Sequence, residues 1–359
     1  MKPYEPVRSI AVAVVARNEE ATLSGIFADL AAQTYPHDRI EVVLVDSDSS
    51  DGTKRMMERF ARENPAGFSR VMVLDNPARY LAPGWNRALE ASEADAFVRV
   101  DAHASIPPNF VEASIAVLND GEFVCGGPRP TVLRNPTSWQ KTLHLAEESA
   151  FGSSPADYRQ GAEGKEVASL FHGAYRRCVV EEVGPLNEGL LRTEDNDWYY
   201  RMRQAGYRLW FDPSIRSQQF ARPTLGKMLK QKYGNGFWVG RTLFVQPKCL
   251  QLHHLVPLAF VLGIAVMAAV GFAFSWVPFG VCAALYLLLC IALAVKAVAQ
   301  SDERNWTAVA LPLVFAGIHL SYGVGTLFGL VSGLAHKLFG GKAAAAGGKG
   351  GGAGSGAAA

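Results

Sequence analysis

Apolar residues occur in short blocks along the first half of the chain, and these blocks predict strands that alternate with helices. The first block, residues 9–16 (SIAVAVVA), is an almost unbroken apolar run, which is typical of a strand buried on both faces of a parallel sheet. The segment after it carries apolar residues at helical spacing from Leu23 to Leu30. Strands that alternate with helices imply right-handed crossovers and a doubly wound, mostly parallel α/β sheet. Four such strands are predicted, at residues 9–16, 41–45, 70–74 and 96–100.

The pattern changes in the last third of the chain, where apolar residues become almost continuous. Residues 255–274 and 277–295 contain no charged side chain, and 306–334 is a longer apolar stretch. Each stretch is long enough to cross a bilayer as a helix. Basic residues cluster before residue 255, which favours a cytoplasmic location for the part of the chain that precedes it. We therefore expect a multi-pass protein of the plasma (inner) membrane with a cytoplasmic soluble domain.

These patterns divide the chain into four parts. A soluble α/β domain is predicted at residues 1–222. Residues 223–252 mix basic and apolar side chains, which predicts an amphipathic segment lying on membrane lipids. About three transmembrane helices are predicted at 253–336, and a flexible tail rich in Gly and Ala at 337–359.

One stretch of the apolar region carries small residues at regular spacing. Gly325, Gly329 and Gly333 recur every four residues, so they share one face of a helix. Small residues on such a face let two helix backbones approach closely. The stripe predicts a helix-packing face, either within the chain or between two copies of it in an oligomer.

Composition and charge exclude several classes of function. The 359 residues carry a formal net charge of +2, and no cluster of aromatic and basic residues indicates a nucleic-acid partner. The five cysteines show no CxxC spacing, which argues against a zinc site or a disulfide framework. No GxGxxG motif follows the first strand, so the sequence does not fit a dinucleotide-dependent oxidoreductase.

Polar residues stand where the predicted strands end. Arg17, Asn18 and Glu19 follow the first strand, Asp46 ends the second, and Asp101 ends the fourth. In an open α/β sheet, ligands bind outside the carboxyl ends of the strands. The sequence therefore predicts a binding site along this edge.

The end of the fourth strand has a further feature. His103 lies two residues after Asp101, so the two side chains project to the same side of an extended chain. A carboxylate and an imidazole in this arrangement predict a divalent metal site. Imidazole suits Mn²⁺ better than Mg²⁺, which prefers oxygen ligands.

A second polar cluster lies further along the chain. His172 and Gly173 form part of a turn, and Thr193 is expected to cap a helix. Glu194 and Asp195 then fall in the first turn of that helix, where the helix dipole favours carboxylates.

The order of these motifs resembles that of a family 2 glycosyltransferase with the GT-A fold. The matching runs are "RNEE" after the first strand, "VLVDSDSSDGT" around Asp46, "RVDAHA" around Asp101, "TED" ending at Asp195, and "RMRQAGYRL" behind it. The "RVDAHA" run is similar to the ExoA-like branch, which includes the glucosyltransferases of succinoglycan assembly. In the usual motif a second Asp occupies the position of His103, so the resemblance implies a metal site with one altered ligand.

The resemblance also implies roles for individual residues. Asp195 corresponds to the general base, and Glu194 precedes it. Asp46 corresponds to the residue that contacts the nucleobase, and Asp101 to the one that contacts the nucleotide-sugar and its metal. We predict the acceptor site at His172 and Gly173. The predicted nucleotide-sugar site comprises Arg17, Asn18, Glu19, Asp46, Asn86 and Asp101.

Together these features predict a membrane-anchored, inverting glycosyltransferase. The expected donor is a nucleotide-sugar, UDP-glucose in this branch with transfer in β-linkage, and the expected acceptor is a saccharide linked to polyprenyl diphosphate in exopolysaccharide or cell-surface glycan assembly. Two alternatives remain at this stage. One is a processive polysaccharide synthase, and the other is a non-enzymatic membrane scaffold built on a decayed transferase domain.

Overall fold

The valine-rich run at the start of the chain forms the central strand of the sheet. The computed structural model describes residues 5–133, 135–153, 163–220, 224–301 and 305–340. The four predicted strands are all present, each within one residue of its expected bounds at either end. The strands are β1 Ile10–Ala16, β2 Ile40–Asp46, β3 Arg70–Asp75, β4 Ala96–Asp101, β5 Ala104–Ser105, β6 Val124–Gly126, β7 Thr131–Val132, β8 Lys165–Glu166, β9 Ala174–Arg176, β10 Trp210–Phe211 and β11 Gln218–Phe220.

Helices fill the connections between the strands and form most of the C-terminal part. Short 3₁₀ turns link several of them. The α-helices are α1 Leu23–Ala31, α2 Thr53–Glu63, α3 Leu81–Ala91, α4 Phe110–Asn119, α5 Ser138–Glu148, α6 Arg177–Val183, α7 Glu194–Gln204, α8 Leu225–Thr242, α9 Val256–Ala273, α10 Val277–Ala299 and α11 Leu311–Ala335.

The main sheet has eight strands in the order β3-β2-β1-β4-β9-β6-β10-β8. The first four strands of this order are parallel, whereas β9 pairs antiparallel with both β4 and β6. The chain moves outward from β1 to β3 and then crosses back to place β4 on the other side of β1. This reversal creates a crevice at the carboxyl ends of β1 and β4, where ligands bind in open α/β sheets. The fold agrees with the predicted α/β class.

The two faces of the sheet pack against different helices. Along β1, Ile10, Val12 and Val14 belong to the apolar core on one face, together with residues of α1, α2 and α4. Ala11 and Ala13 belong to the core on the other face, which includes residues of α3 and α7. Because neighbouring side chains of a strand point to opposite faces, a strand buried on both sides needs the unbroken apolar run seen in the sequence.

Within the described residues, three C-terminal helical segments, counted with their flanking turns, are long and apolar enough to cross a membrane. They span Leu252–Ala273, Val277–Ala299 and Trp306–Phe339. The predicted boundary between residues 222 and 223, and the Gly- and Ala-rich tail from residue 341 onward, lie outside the described residues.

The glycine stripe of α11 packs against α8 within the chain. A Cβ atom added at Gly329 would lie 2.0 Å from the Phe237 carbonyl oxygen, and one at Gly325 would lie 2.2 Å from the carbonyl oxygen of Tyr233. On the opposing helix, a Cβ at Gly236 would lie 2.0 Å from the Tyr322 oxygen. The sequence left open whether this face packs within the chain or between two copies, and in the structure it packs within the chain. This buried face is therefore not available to a second copy, which corrects the suggestion of an oligomer formed through it.

We expect Gly329→Leu to destabilise the protein because its side chain would have to separate α8 from α11. Overpacking a tight contact costs about 1–3 kcal/mol, and here the atom opposite is backbone that cannot rotate away. Thermal unfolding of the detergent-solubilised chain measures the effect. Gly263→Leu in α9 is the matched control, since a Cβ atom there meets nothing within 4 Å. Equal unfolding temperatures for the two variants would contradict the close approach of α8 and α11.

Candidate active site

A cavity of about 1040 Å³ begins at the carboxyl ends of β1 and β4 and continues to the C-terminal helices. One end is lined by Arg17, Glu19 and Asp101, from the sheet edge. Tyr286 and Tyr322, from two of the apolar helices, line the other end. The cavity therefore joins the predicted nucleotide-sugar site to the predicted membrane region.

Asp46 is buried at the end of β2, with 3% of its surface exposed. Its Oδ2 atom lies 3.3 Å from the backbone nitrogen of Ser49, which donates to it. Its Oδ1 atom has no hydrogen-bond partner among the described residues. A buried acceptor without a donor costs free energy, so this oxygen is suited to an N–H group of a ligand. Asp46 itself does not line the cavity, whereas the neighbouring Ser47 does.

The turn after β1 is held against the turn after β2. Asn18 has a φ of 56°, in the left-handed region, and its Oδ1 accepts a hydrogen bond of 2.8 Å from the Ser50 backbone nitrogen. The Asn18 backbone nitrogen donates to Ser49 Oγ at 3.0 Å. Asn18 thus fixes the loop, while its neighbours Arg17 and Glu19 line the cavity.

Asp101 lies at the point where β4 meets the cavity, beside a buried histidine. Nε2 of His172 is 3.3 Å from both Oδ2 and the backbone nitrogen of Asp101. Burial alone would raise the pKa of Asp101, but the hydrogen bond and charge of His172, with the charges of Arg129 and His103, hold it well below its usual value. Asp101 is therefore ionised throughout the physiological pH range.

The predicted acceptor residues, His172 and Gly173, both line the cavity. His172 has a φ of 45°, is 5% exposed, and contacts Asp101. A Cβ atom added at Gly173 would lie 2.6 Å from the Tyr175 hydroxyl. His172 is thus a partner of Asp101, and its contact with the acceptor stays a prediction.

The residues around Asp101 fit a divalent cation held only in part by the protein. No group of three or more His, Cys, Asp or Glu side chains is close enough to hold a metal within the described part of the chain. Asp101 and His103 both line the cavity, and Nδ1 of His103 lies 3.3 Å from Glu19 Oε1. Mg²⁺-type sites in nucleotide enzymes use one or two carboxylates and complete their coordination with substrate phosphates. An ionised carboxylate with an imidazole nearby suits such a site.

Arg129 is a cavity residue that sequence reasoning missed. It is 7% exposed, and its guanidinium carbon lies 3.6 Å from the ring centroid of Phe171. It also donates to Oε1 of Gln219. The available signal was an arginine between Pro128 and Pro130, directly after a short strand. Arg129 brings positive charge to the wall that faces Asp101.

The acidic pair opens α7 and projects into the same cavity. Thr193 is the N-cap residue as predicted, although its hydroxyl pairs with Thr242 at 2.6 Å and does not cap the helix. Burial, and then the charge of Asp195, raise the pKa of Glu194 to about 7. Burial also raises the pKa of Asp195, against the lowering effect of Arg99. Oε2 of Glu194 has no hydrogen-bond partner among the described residues.

Arg99 is the second residue that the sequence did not assign. It lies on β4 two residues before Asp101, so the two side chains leave the strand on the same side. Its guanidinium carbon is 4.7 Å from the ring centroid of Trp85, and its charge acts on both Glu194 and Asp195. An arginine inside an otherwise apolar strand was the signal. Arg99 is the positive charge that balances the acidic pair.

Asn86 has a structural role in the fold, and its assignment to the nucleotide-sugar site stays a prediction. Its side-chain nitrogen donates to the Leu186 carbonyl and to Glu188 Oε1, both at 2.9 Å. Its side-chain oxygen accepts from the Leu186 backbone nitrogen at 2.8 Å. Both ends of the amide are therefore used to hold residues 186–188, which lead toward the acidic pair, and Asn86 does not line the cavity.

Comparison with known proteins finds glycosyltransferase relatives for this chain. Residues 11–184 match the family described as "Glycosyl transferase family 2". The chain is 27% identical over 277 residues to the succinoglycan biosynthesis protein ExoA of Rhizobium meliloti, which covers 75% of this chain and 81% of that protein. It is 24% identical over 188 residues to an undecaprenyl-phosphate 4-deoxy-4-formamido-L-arabinose transferase of Pseudomonas savastanoi, covering 51% of each chain.

A solved structure shares the fold over most of its length. The mannosyltransferase PcManGT from Pyrobaculum calidifontis, in complex with GDP-Man and Mn²⁺, superposes with a TM-score of 0.58 and covers 91% of both chains. Because the two sequences are only 20% identical, this similarity is evidence for a shared fold and for nothing further. The predicted GT-A architecture is confirmed.

Proposed function

We propose, from the premise that the chain is a glycosyltransferase with a family 2 domain, that it moves a single sugar from a nucleotide-sugar to a lipid-linked acceptor with inversion at the anomeric carbon. The observation that carries this proposal is the continuous cavity. Its lining includes the residues of the predicted metal site, the acidic pair and side chains from the apolar helices. A donor and a membrane-bound acceptor can therefore meet beside the same carboxylates.

Asp195 is the proposed general base. In an inverting transfer, the acceptor hydroxyl oxygen attacks the anomeric carbon from the face opposite the leaving group, and one carboxylate takes the hydroxyl proton. The C–O bond to the nucleoside diphosphate breaks as the new glycosidic bond forms, so one displacement completes the reaction. Asp195 lines the cavity and has a hydrogen bond of 2.8 Å from the Asn196 backbone nitrogen to its Oδ1, which fixes the carboxylate.

The donor diphosphate is assigned to the sheet edge. Asp101 and His103 would hold a divalent cation there, with Mn²⁺ favoured over Mg²⁺ because one ligand is an imidazole. When bound, this cation neutralises the charge that develops on the departing diphosphate. Arg129, on the opposite wall, adds a guanidinium suited to phosphate oxygens.

The identities of donor and acceptor are the finer part of the proposal. The unpartnered oxygen of Asp46 fits the imide N–H of uracil or thymine. Glucose as the sugar, UDP as its carrier and β-linkage are proposed from the similarity to the ExoA-like branch. The names of the two relatives point to exopolysaccharide assembly and to an undecaprenyl phosphate acceptor. For a polyprenyl-diphosphate-linked saccharide, the three apolar helices would keep the enzyme at the plasma membrane, with the catalytic domain in the cytoplasm.

The proposal is tested by nucleoside diphosphate release from purified full-length protein. The donors are UDP-, GDP- and dTDP-linked sugars, each with Mn²⁺ or Mg²⁺ and with membrane lipid extract as acceptor. We expect release from UDP-glucose, faster with Mn²⁺. Release from a GDP- or dTDP-linked sugar alone would overturn the donor assignment, and nucleotide binding without any release would favour the scaffold alternative.

The pH dependence of sugar transfer should reflect the ionisation of the acidic pair, Glu194 and Asp195. The base must be ionised to accept a proton, and the buried pair binds protons more tightly than ordinary carboxyls do, so activity falls as pH drops through the raised pKa values. Because burial raises the pKa of the base Asp195, we expect the acidic limb of kcat/KM at a higher pH than an ordinary aspartate would give. The measurement is transfer rate against pH from 5 to 9 at saturating metal.

Two variants separate the contributions to this limb. Glu194→Gln removes one of the two neighbouring negative charges, so protonation of Asp195 becomes less favourable and the limb should move to lower pH. Arg99→Met removes the charge that lowers the pKa of both carboxyls, so the limb should move to higher pH. A profile that stays flat from pH 5 to 8 in the unmodified protein would contradict a raised pKa at the acidic pair.

A further inference from the structure

The cavity extends well beyond the space that a nucleotide-sugar needs. Past the acidic pair it is lined by Pro257 and Phe260 of α9, Tyr286 of α10, and Ile318 and Tyr322 of α11. These helices are the ones long and apolar enough to cross a membrane. This part of the lining, which also includes His319, is mostly apolar and forms the apolar end of the cavity.

A buried lysine lies at the junction between the acidic pair and the apolar end. Lys232 of α8 is 8% exposed and lines the cavity. Its Nζ atom lies 3.0 Å from Ser153 Oγ, and its charge acts on His319 of α11. The other lysines of this helix, at 227 and 230, are exposed. A lysine ammonium has three donors and keeps its charge when it bonds a hydroxyl, so Lys232 can also bind an anion.

A second cation, on an exposed residue, lines the same cavity. Arg192 lines the cavity two residues before Glu194, and its Nη1 donates to Asn235 Oδ1 at 3.0 Å. Asn235 and Lys232 are three residues apart on α8, so they share one face of that helix. The hydrogen bond therefore holds the guanidinium of Arg192 on the same face as Lys232.

We propose that Arg192 and Lys232 bind the phosphate groups of an isoprenoid-linked acceptor whose hydrocarbon chain occupies the apolar end of the cavity. The proposal rests on the proposed function and assigns its acceptor a site. The cavity is lined by the carboxylate base, by these two cations and by side chains of the apolar helices. An isoprenoid diphosphate saccharide carries a matching set of groups, namely a reacting hydroxyl, phosphates and a hydrocarbon chain.

The test uses farnesyl diphosphate as a short probe and the full-length protein in neutral detergent. Its Kd is measured by calorimetry for the unmodified chain and for Lys232→Gln, Arg192→Gln and Lys230→Gln. Charge-assisted hydrogen bonds to phosphate are strong, so each of the first two variants should weaken binding about tenfold. Lys230→Gln, on the exposed side of the same helix, should bind as the unmodified chain does. The Kd for UDP with Mn²⁺ should stay the same in all four proteins.

The outcomes separate this inference from the proposed function. Unchanged farnesyl diphosphate binding in Lys232→Gln, with normal UDP binding, would overturn the acceptor site alone, whereas loss of UDP binding in the unmodified chain would overturn the proposed function. Inorganic diphosphate and nanodiscs of phosphatidylglycerol are the comparison ligands. If inorganic diphosphate binds as tightly as the farnesyl compound, or if Lys232→Gln weakens only attachment to phosphatidylglycerol, the isoprenoid assignment is wrong.

Discussion

Replacing Asp195 by asparagine is expected to lower kcat for sugar transfer by about a thousandfold, within the usual range for loss of a general base. Asparagine has nearly the same shape, so the start of α7 should keep its structure, but the amide cannot accept the proton of the acceptor hydroxyl. Asp195 lies in the cavity beside Glu194 and within the electrostatic reach of Arg99. The measurement is the rate of nucleoside diphosphate release with saturating donor and lipid acceptor.

Two controls distinguish loss of the catalytic step in Asp195→Asn from loss of donor binding or a general effect of removing a carboxylate. The variant should bind UDP as tightly as the unmodified chain, because Asp195 is assigned to the acceptor hydroxyl and not to the nucleotide. Asp120→Asn, at an exposed position after α4, removes a carboxylate far from the site and should leave the rate unchanged. A kcat within tenfold of the unmodified enzyme would show that another group serves as the base.

Replacing Asp101 by asparagine is expected to reduce kcat/KM by about a hundredfold or more, since a positioned charge at a developing anion contributes on that scale. The substitution removes the ionised carboxylate that would hold the cation next to the leaving diphosphate. The rate should also lose its dependence on Mn²⁺ concentration. The measurement is a Mn²⁺ titration of the transfer rate at fixed donor concentration.

His103→Asp provides the companion variant for Asp101→Asn. It creates the second carboxylate that the resembling family carries at this position. Because Mg²⁺ prefers oxygen ligands, the variant should remain active and should work with Mg²⁺ better than the unmodified chain does. An unaltered metal preference would show that His103 does not contribute to the metal site.

The strands and the sheet edge could be predicted because burial on both faces leaves a strong trace in the sequence. A strand such as β1 needs an unbroken apolar run, and the polar residues that follow β1, β2 and β4 mark the carboxyl ends of the strands. Topology then brings these residues to one crevice. Asp46 and Asp101 are positioned by these local rules.

The parts that escaped prediction depend on contacts between distant segments. Asn86 bonds residues 100 and 102 positions away, and no local pattern distinguishes that role from ligand binding. Arg99 and Arg129 act on groups from other elements, so their importance appears only when the sheet and α7 are assembled. The packing partner of the glycine stripe in α11 was likewise hidden from the sequence. That partner is α8, which lies almost a hundred residues earlier in the chain.

The most direct test of the proposed single-sugar transfer is the incorporation of labelled sugar into lipid. Purified full-length protein is incubated with UDP-, GDP- or dTDP-linked labelled sugars and membrane lipid extract, and the organic phase is analysed by chromatography. We expect label from UDP-glucose to enter a lipid-linked product extended by one sugar, and we expect Asp195→Asn to abolish this transfer. Absence of label from the lipid phase with every donor, or growth of a long polymer in place of a single addition, would contradict this proposal.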